Sequence, residues 1–174
     1  MGARRALAFA IVAAVFLLDR GTKYWIETKV SLYDTIEVIP SVFNIVHARN
    51  RGAAFGILNT SPEWVRLLVL VGLALCILAM IASMLWQATR RDAPSSLVNR
   101  LSLALVFGGA IGNLYDRILK GSVTDFLQVF LGSYEWPSFN VADSAITVGA
   151  TLMAIDLIFL SRKQESQNNA PETR

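Results

Sequence analysis

Hydrophobic residues in this chain gather into four blocks, each longer and less charged than a soluble core would need. The first runs from about Ala6 to Leu18, breaks at Asp19-Arg20-Gly21-Thr22-Lys23 and resumes at Tyr24-Trp25-Ile26. It predicts a helix over about 6–26 whose final turns are polar on one face. Arg4-Arg5 ahead of it resembles the start of a secretory signal peptide, but no small-residue cleavage site follows, so the segment is read as retained. The second block predicts a helix over about 64–86, with Pro62 and Glu63 suited to its first turn and Trp64 and Trp86 suited to the two interfaces. The third covers about 97–115, where Gly108, Gly109 and Gly112 permit close helix approach. The fourth covers about 141–160, with Asn140 placed to cap it.

Between the blocks lie two longer outer loops, about 27–61 and 118–139. Their β-branched and aromatic runs at 35–39, 42–46 and 123–130 predict short strands, with Pro40 separating the first two. A small sheet resting on the membrane surface follows. Residues 1–163 form one membrane domain, and the polar tail 164–174 is expected to be disordered. The fold class is an α-helical polytopic membrane protein with four transmembrane helices and a small sheet.

Composition agrees. Of 174 residues, 54% are hydrophobic and 17% charged, outside the balance of an ordinary soluble domain. The net charge of +3 sits at helix ends and forms no groove, which argues against a nucleic-acid partner. Arg4, Arg5, Arg90, Arg91, Arg100, Arg162 and Lys163 crowd the short segments on the side shared by both termini. The other side carries Lys29, Arg49, Arg51 and Lys120 in long loops, with Arg20, Lys23, Arg66 and Arg117 near helix ends. Density in the short segments places both termini in the cytoplasm. The single cysteine, Cys76, cannot form an internal disulfide and reads as a small buried hydrophobe. The single histidine, His47, reads as a sheet-face residue and excludes a His/Cys zinc site.

Two aspartates beside these apolar blocks carry the candidate chemistry. Asp143 follows Phe139-Asn140-Val141-Ala142, and Asp125 lies in Val123-Thr124-Asp125-Phe126. A carboxylate next to hydrocarbon is costly enough to suggest function. Each also has a plainer reading: Asp143 as a first-turn acid three residues after Asn140, Asp125 as an edge-strand residue in water. If the two meet, like charges a few ångströms apart hold one proton between them, and such a pair can activate water for peptide hydrolysis. Asp19 and Lys23, four apart, pair on one helix face, either closing the helix end or serving substrate. Asn50-Arg51-Gly52-Ala53-Ala54-Phe55 allows close backbone approach or is an ordinary tight loop. Asn113 is polar at membrane depth and needs a partner, whereas Arg117 suits a helix C-terminus.

Taken together, Asp19-x-x-x-Lys23, Asn50-x-Gly52-Ala53-Ala54-Phe55, Gly108-Gly109-Ala110-x-Gly112-Asn113-x-x-Asp116-Arg117, Val123-x-Asp125-Phe126 and Phe139-Asn140-x-Ala142-Asp143 closely resemble the bacterial lipoprotein signal peptidases (signal peptidase II), in order and spacing. The resemblance implies an aspartic endopeptidase of the inner membrane with a small periplasmic β-cradle and its site near the periplasmic face. It implies Asp125 and Asp143 as the catalytic dyad, with Asp19, Lys23, Asn50, Gly109, Asn113, Arg117 and Asn140 binding substrate or supporting the site. It also implies diacylglyceryl-prolipoprotein substrates cut before the lipidated cysteine, membrane lipid as surroundings, no metal or other cofactor, and a monomer. Three rivals are weaker. A proton-coupled carrier would place more charge near helix centres, and a non-catalytic assembly factor would not need the aspartates. A presenilin-type protease would show Gly-x-Gly-Asp, which does not occur.

Overall fold

A computed structural model describes residues 2–52 and 62–168 of the chain, with side chains as far as residue 159. Ala53-Ala54-Phe55 and the end of the tail, 169–174, lie outside the described residues. In chain order the elements are α1 (Ala3–Lys29), β1 (Thr35–Ile39), β2 (Phe43–Asn50), α2 (Glu63–Ala88), α3 (Leu97–Lys120), β3 (Val123–Leu131), β4 (Tyr134–Phe139) and α4 (Val141–Asn168). The four strands form one antiparallel sheet in the order β1-β2-β3-β4.

Among the described residues, α2, α3 and the Val141–Phe159 portion of α4 are long and apolar enough to cross a membrane. The sequence pattern assigned a fourth span to α1, which is long enough but carries Asp19, Arg20 and Lys23 in its second half. Asp19 and Lys23 are fully buried against the rest of the protein, so these charges do not face lipid. The outward faces are apolar instead: Phe9, Leu17, Leu68, Leu73 and Phe159 are all exposed, as a lipid-facing belt requires. Trp64 and Trp86 mark the two ends of α2, about 33 Å apart at helical rise. Cys76 faces outward too, which corrects its reading as a buried residue. Helix α2 packs mainly against α3, and most of its remaining surface is apolar and exposed.

Helix α3 is the hub, packed against α1, α2 and α4. Small residues let the backbones approach. A Cβ at Gly109 would strike the Ala142 carbonyl oxygen and come within 2.9 Å of Ile146, and one at Gly112 would come within 2.7 Å of Asp19 Oδ2. The helix runs to Lys120, five residues past its expected end at Tyr115, and takes Asp116 and Arg117 into its last turns. Gly121 then ends it in a left-handed conformation (φ 68°), with its N–H donating to the Arg117 carbonyl. Helix α4 runs to Asn168, so 164–168 are helical where disorder was expected. The segment Arg162-Lys163-Gln164-Glu165 is polar but helix-favouring, and Pro171 is the first breaker beyond it.

One end of the bundle gathers the first turn of α1 and the α2–α3 turn. Arg4 donates to the carbonyls of Arg90 and Ala93, and Arg5 stacks over Trp86. The sheet covers the other end. Ile26 and Val30 at the end of α1 pack on Phe126 of β3, with Ile45, Leu127 and Val141 around them. His47, buried on β2, lies 2.7 Å through Nδ1 from the Val30 carbonyl and ties the sheet to the helix. Strand β2 extends to Asn50, beyond the expected 42–46, because its pairing with β3 continues through Ala48↔Asp125 and Asn50↔Val123. Strand β4 escaped the sequence reading because Pro137 argues against a strand. At a sheet edge, proline is tolerated, and the β3–β4 register shifts around it.

Candidate active site

Four elements bring the site together beneath the sheet. Asp125 lies on β3, next to the end of β2 that carries Asn50. Asp143 lies in the first turn of α4, and Asn113 lies near the end of α3. Asn140, in the β4–α4 junction, is fully buried and touches both aspartates. Its Nδ2 donates to Asp125 Oδ1 at 2.8 Å, and its backbone N–H donates to Asp143 Oδ2 at 3.3 Å. In return its Oδ1 accepts the Asp143 N–H at 2.9 Å. This reciprocal pair is a capping box, so the plain reading of Asp143 as a helix-start acid is correct as far as it goes. The same residue also holds the second carboxylate, which no helix start requires.

Each aspartate is hydrogen-bonded through both oxygens. Asp143 Oδ1 accepts from Asn113 Nδ2 at 2.7 Å, and Asp125 Oδ2 accepts from Asn50 Nδ2 at 3.1 Å. Asn50 is itself fixed by the Gly52 N–H on its Oδ1. Their surroundings differ. Asp125 is buried and Asp143 only half-buried. Burial first, and then the charge of Asp143, lift the Asp125 carboxyl to about 6, against the opposing bonds from Asn50 and Asn140 and the charge of Lys23. Asp125 is therefore the group of the pair that keeps a proton toward neutral pH.

Below the aspartates lies a buried charge cluster. The Lys23 ammonium sits 2.9 Å from Asp19 Oδ2, 2.9 Å from Asp116 Oδ2 and 3.0 Å from Asn113 Oδ1. The two carboxylate contacts are charge contacts without hydrogen-bond alignment, so its directed bond goes to Asn113. Asp19 Oδ1 accepts the Ala142 N–H at 3.0 Å, which fixes α1 to the first turn of α4. Asp19 and Lys23 thus pair as their spacing suggests, but they do not close a helix end: α1 continues to Lys29. Arg117 is half-buried on the last turn of α3, and its charge acts on Asp143, Asp125 and Asp116. Gly109 supports the site through backbone, because its lack of a side chain seats Ala142 directly on α3.

Several participants were not singled out from sequence. Asp116 is fully buried and is shared by Lys23, Arg20 and Lys120. Glu27 accepts from Lys120 and from Thr124 Oγ1, the residue before Asp125. Only the i,i+4 spacing of Asp116 and Lys120 is a local signal; the other partners lie more than ninety positions apart. Among the described residues, no three His, Cys, Asp or Glu side chains cluster to hold a metal ion.

The family profile of signal peptidase (SPase) II matches residues 11–159. A lipoprotein signal peptidase of Solibacter usitatus is 50% identical over 151 residues, covering 87% of this chain and 90% of its own length. One from Geobacter metallireducens is 42% identical over 161 residues, covering 92% and 96%. Among solved structures, a bacterial membrane enzyme superposes with a TM-score of 0.75 at 34% identity, over 97% of this chain and 95% of that one. The match runs through every element that builds the site, and the chain belongs to the signal peptidase II family of bacterial membrane peptidases.

Proposed function

We propose that this protein is an aspartic endopeptidase that removes signal peptides from diacylglyceryl-modified prolipoproteins, with Asp125 and Asp143 as its catalytic pair. The observation that carries this reading is Asn140, which hydrogen-bonds both carboxylates and holds them to one point at the end of the bundle. Asp143 is the less buried of the two and sits in the first turn of a helix, whose dipole favours a negative charge there, so it is the charged member. Asp125, lifted by burial to about 6, carries the proton.

The chemistry follows from that division. Asp143 takes a proton from a water molecule, whose oxygen attacks the scissile carbonyl carbon. Asp125 donates its proton to the carbonyl oxygen, giving a neutral tetrahedral diol without a covalent link to the enzyme. Asp143 then returns its proton to the nitrogen while Asp125 recovers one from a diol hydroxyl, and the C–N bond breaks. Arg117 supplies a positive field beside both carboxylates.

The position of the pair fits a lipidated substrate. It lies at the sheet-covered end of an apolar belt, where acyl chains remain in lipid while the peptide bond reaches water. The opposite end carries the dense arginine cluster, and by the charge rule it and both termini face the cytoplasm of an inner-membrane protein. A monomer working without metal or cofactor suffices for this scheme.

The test is cleavage of a purified diacylglyceryl-modified prolipoprotein, with the unlipidated precursor alongside. Cleavage before the lipidated cysteine is expected, with little or none of the unlipidated form. Equal rates on both would remove the lipid-recognition claim. A pH dependence follows as well. Asp125 holds its proton below about 6 and loses it above, so in the free enzyme kcat/KM should fall on the alkaline side of that value, approaching about tenfold per pH unit. A flat profile from pH 5 to 8 would contradict Asp125 as the proton donor.

A further inference from the structure

Asparagine 113 connects the catalytic pair to the charge cluster beneath it, and the direction of its amide is fixed from below. Its Oδ1 accepts from Lys23 Nζ at 3.0 Å and from Asn140 Nδ2 at 3.3 Å. With the oxygen so engaged, Nδ2 can only face Asp143 Oδ1, at 2.7 Å. A flipped amide would set NH₂ against an ammonium and an oxygen against a carboxylate. Lys23 is fully buried, and its charge is divided between Asp19 and Asp116. Asp116 in turn is contacted by Arg20 and Lys120.

We infer that Lys23 and Asp116 are positioning residues that act through Asn113 to keep Asp143 the charged member of the catalytic pair, Lys23 favouring that charge and Asp116 tempering it. The inference rests on Asp125 and Asp143 being that pair. Arg117 on α3 acts on Asp116, Asp125 and Asp143, whereas the charged groups around Lys23 are Asp19 on its own helix, Asp116 on α3 and, at longer range, Asp125 on β3. Lys120 and Arg20 act on Lys23 through Asp116, and Glu27 through Lys120. Lys23 also acts directly on Asp125, where its effect is the weakest of those at that carboxyl. The Asn113 amide relays Lys23 to Asp143 directly, accepting from one and donating to the other, whereas the path to Asp125 passes Asn140 Nδ2, which donates to both Asn113 Oδ1 and Asp125 Oδ1.

Opposite signs make the inference testable. Lys23→Gln removes the positive charge while keeping a donor. Charging Asp143 becomes harder, so the acid limb of kcat/KM moves to higher pH, by about one unit, and the basic limb moves less. Asp116→Asn leaves Lys23, Arg20 and Lys120 less neutralised, so the acid limb moves to lower pH. The measurement is kcat/KM against pH on a synthetic diacylglyceryl-cysteine peptide, for wild type and both variants in detergent, with size-exclusion elution as the check of folding. Limbs displaced in opposite directions are the expected result. Uniform losses at every pH with unmoved limbs would show a purely structural role and overturn the inference. If one variant fails to fold, the other decides by the sign of its shift; if both fail, the cluster serves the fold alone and the inference is overturned. An inactive wild type would instead count against the catalytic reading itself.

Discussion

Asp125→Asn and Asp143→Asn should each reduce cleavage of the lipidated precursor by about a thousandfold or more, with little change in the amount of folded protein. Asparagine is nearly isosteric with aspartate and still accepts one hydrogen bond, so Asn140 keeps a partner on either side. What is lost is the ability to take up and release a proton. In Asp143→Asn the water has no base. In Asp125→Asn the carbonyl oxygen receives a hydrogen bond but no proton. Each loss affects an interaction used mainly in the transition state, so it should appear in kcat and leave KM within a few-fold. Single-turnover cleavage of a diacylglyceryl peptide measures it, and undiminished cleavage by either variant would remove that aspartate from the chemistry.

The second large effect is expected at Gly109, which carries no reactive group. Any side chain there drives into the Ala142 carbonyl and Ile146, so α3 and α4 must separate. Overpacking a well-fitted contact costs about 1–3 kcal/mol, and backbone-to-backbone contact offers no rotamer as relief, which puts Gly109→Val at or above the top of that range. Ala142 immediately precedes Asp143 and donates to Asp19 Oδ1, so the displaced segment is the one that aims a catalytic carboxylate. Gly109→Ala should therefore remain largely folded yet lose about a hundredfold in kcat, the scale of a 1 Å misplacement. Thermal unfolding in detergent and kcat on the same preparation separate the two effects. A Gly109→Ala protein with unchanged kcat would show that the α3–α4 contact does not aim Asp143.

The bundle was legible because membrane spans are written as long apolar runs, and backbone hydrogen bonding leaves them no alternative to helix. Helix ends were less so: α3 runs past Tyr115 because Asp116 and Arg117 are polar yet find partners inside the protein, which composition does not reveal. Strand β4 was hidden by Pro137, whose tolerance depends on lying at a sheet edge, a tertiary fact. Cys76 misled because an apolar neighbourhood in a membrane chain means lipid as readily as core.

The site divides in the same way. Asn140 to Asp143 could be read as a capping box from spacing alone, and Asp19 to Lys23 as a pair. That Asn140 also reaches Asp125, that Lys23 reaches Asn113, and that Glu27 reaches Thr124 depend on how α1, β3 and α4 meet. The resemblance to lipoprotein signal peptidases grouped Asn140, Asp125, Lys23 and Asn113 before their geometry did, but not Glu27 or Thr124. Asp116 stood in the family motif without a role, and its ion partners came only from structure.

The most direct measurement is a crystal structure with a diacylglyceryl-cysteine peptide whose scissile amide is replaced by a secondary alcohol, a stable stand-in for the tetrahedral intermediate. The hydroxyl is expected within hydrogen-bond distance of both Asp125 and Asp143, with Asn140 still bound to each and the acyl chains along the apolar belt. A hydroxyl seated against any other pair of side chains, or out of reach of either aspartate, would contradict the catalytic assignment.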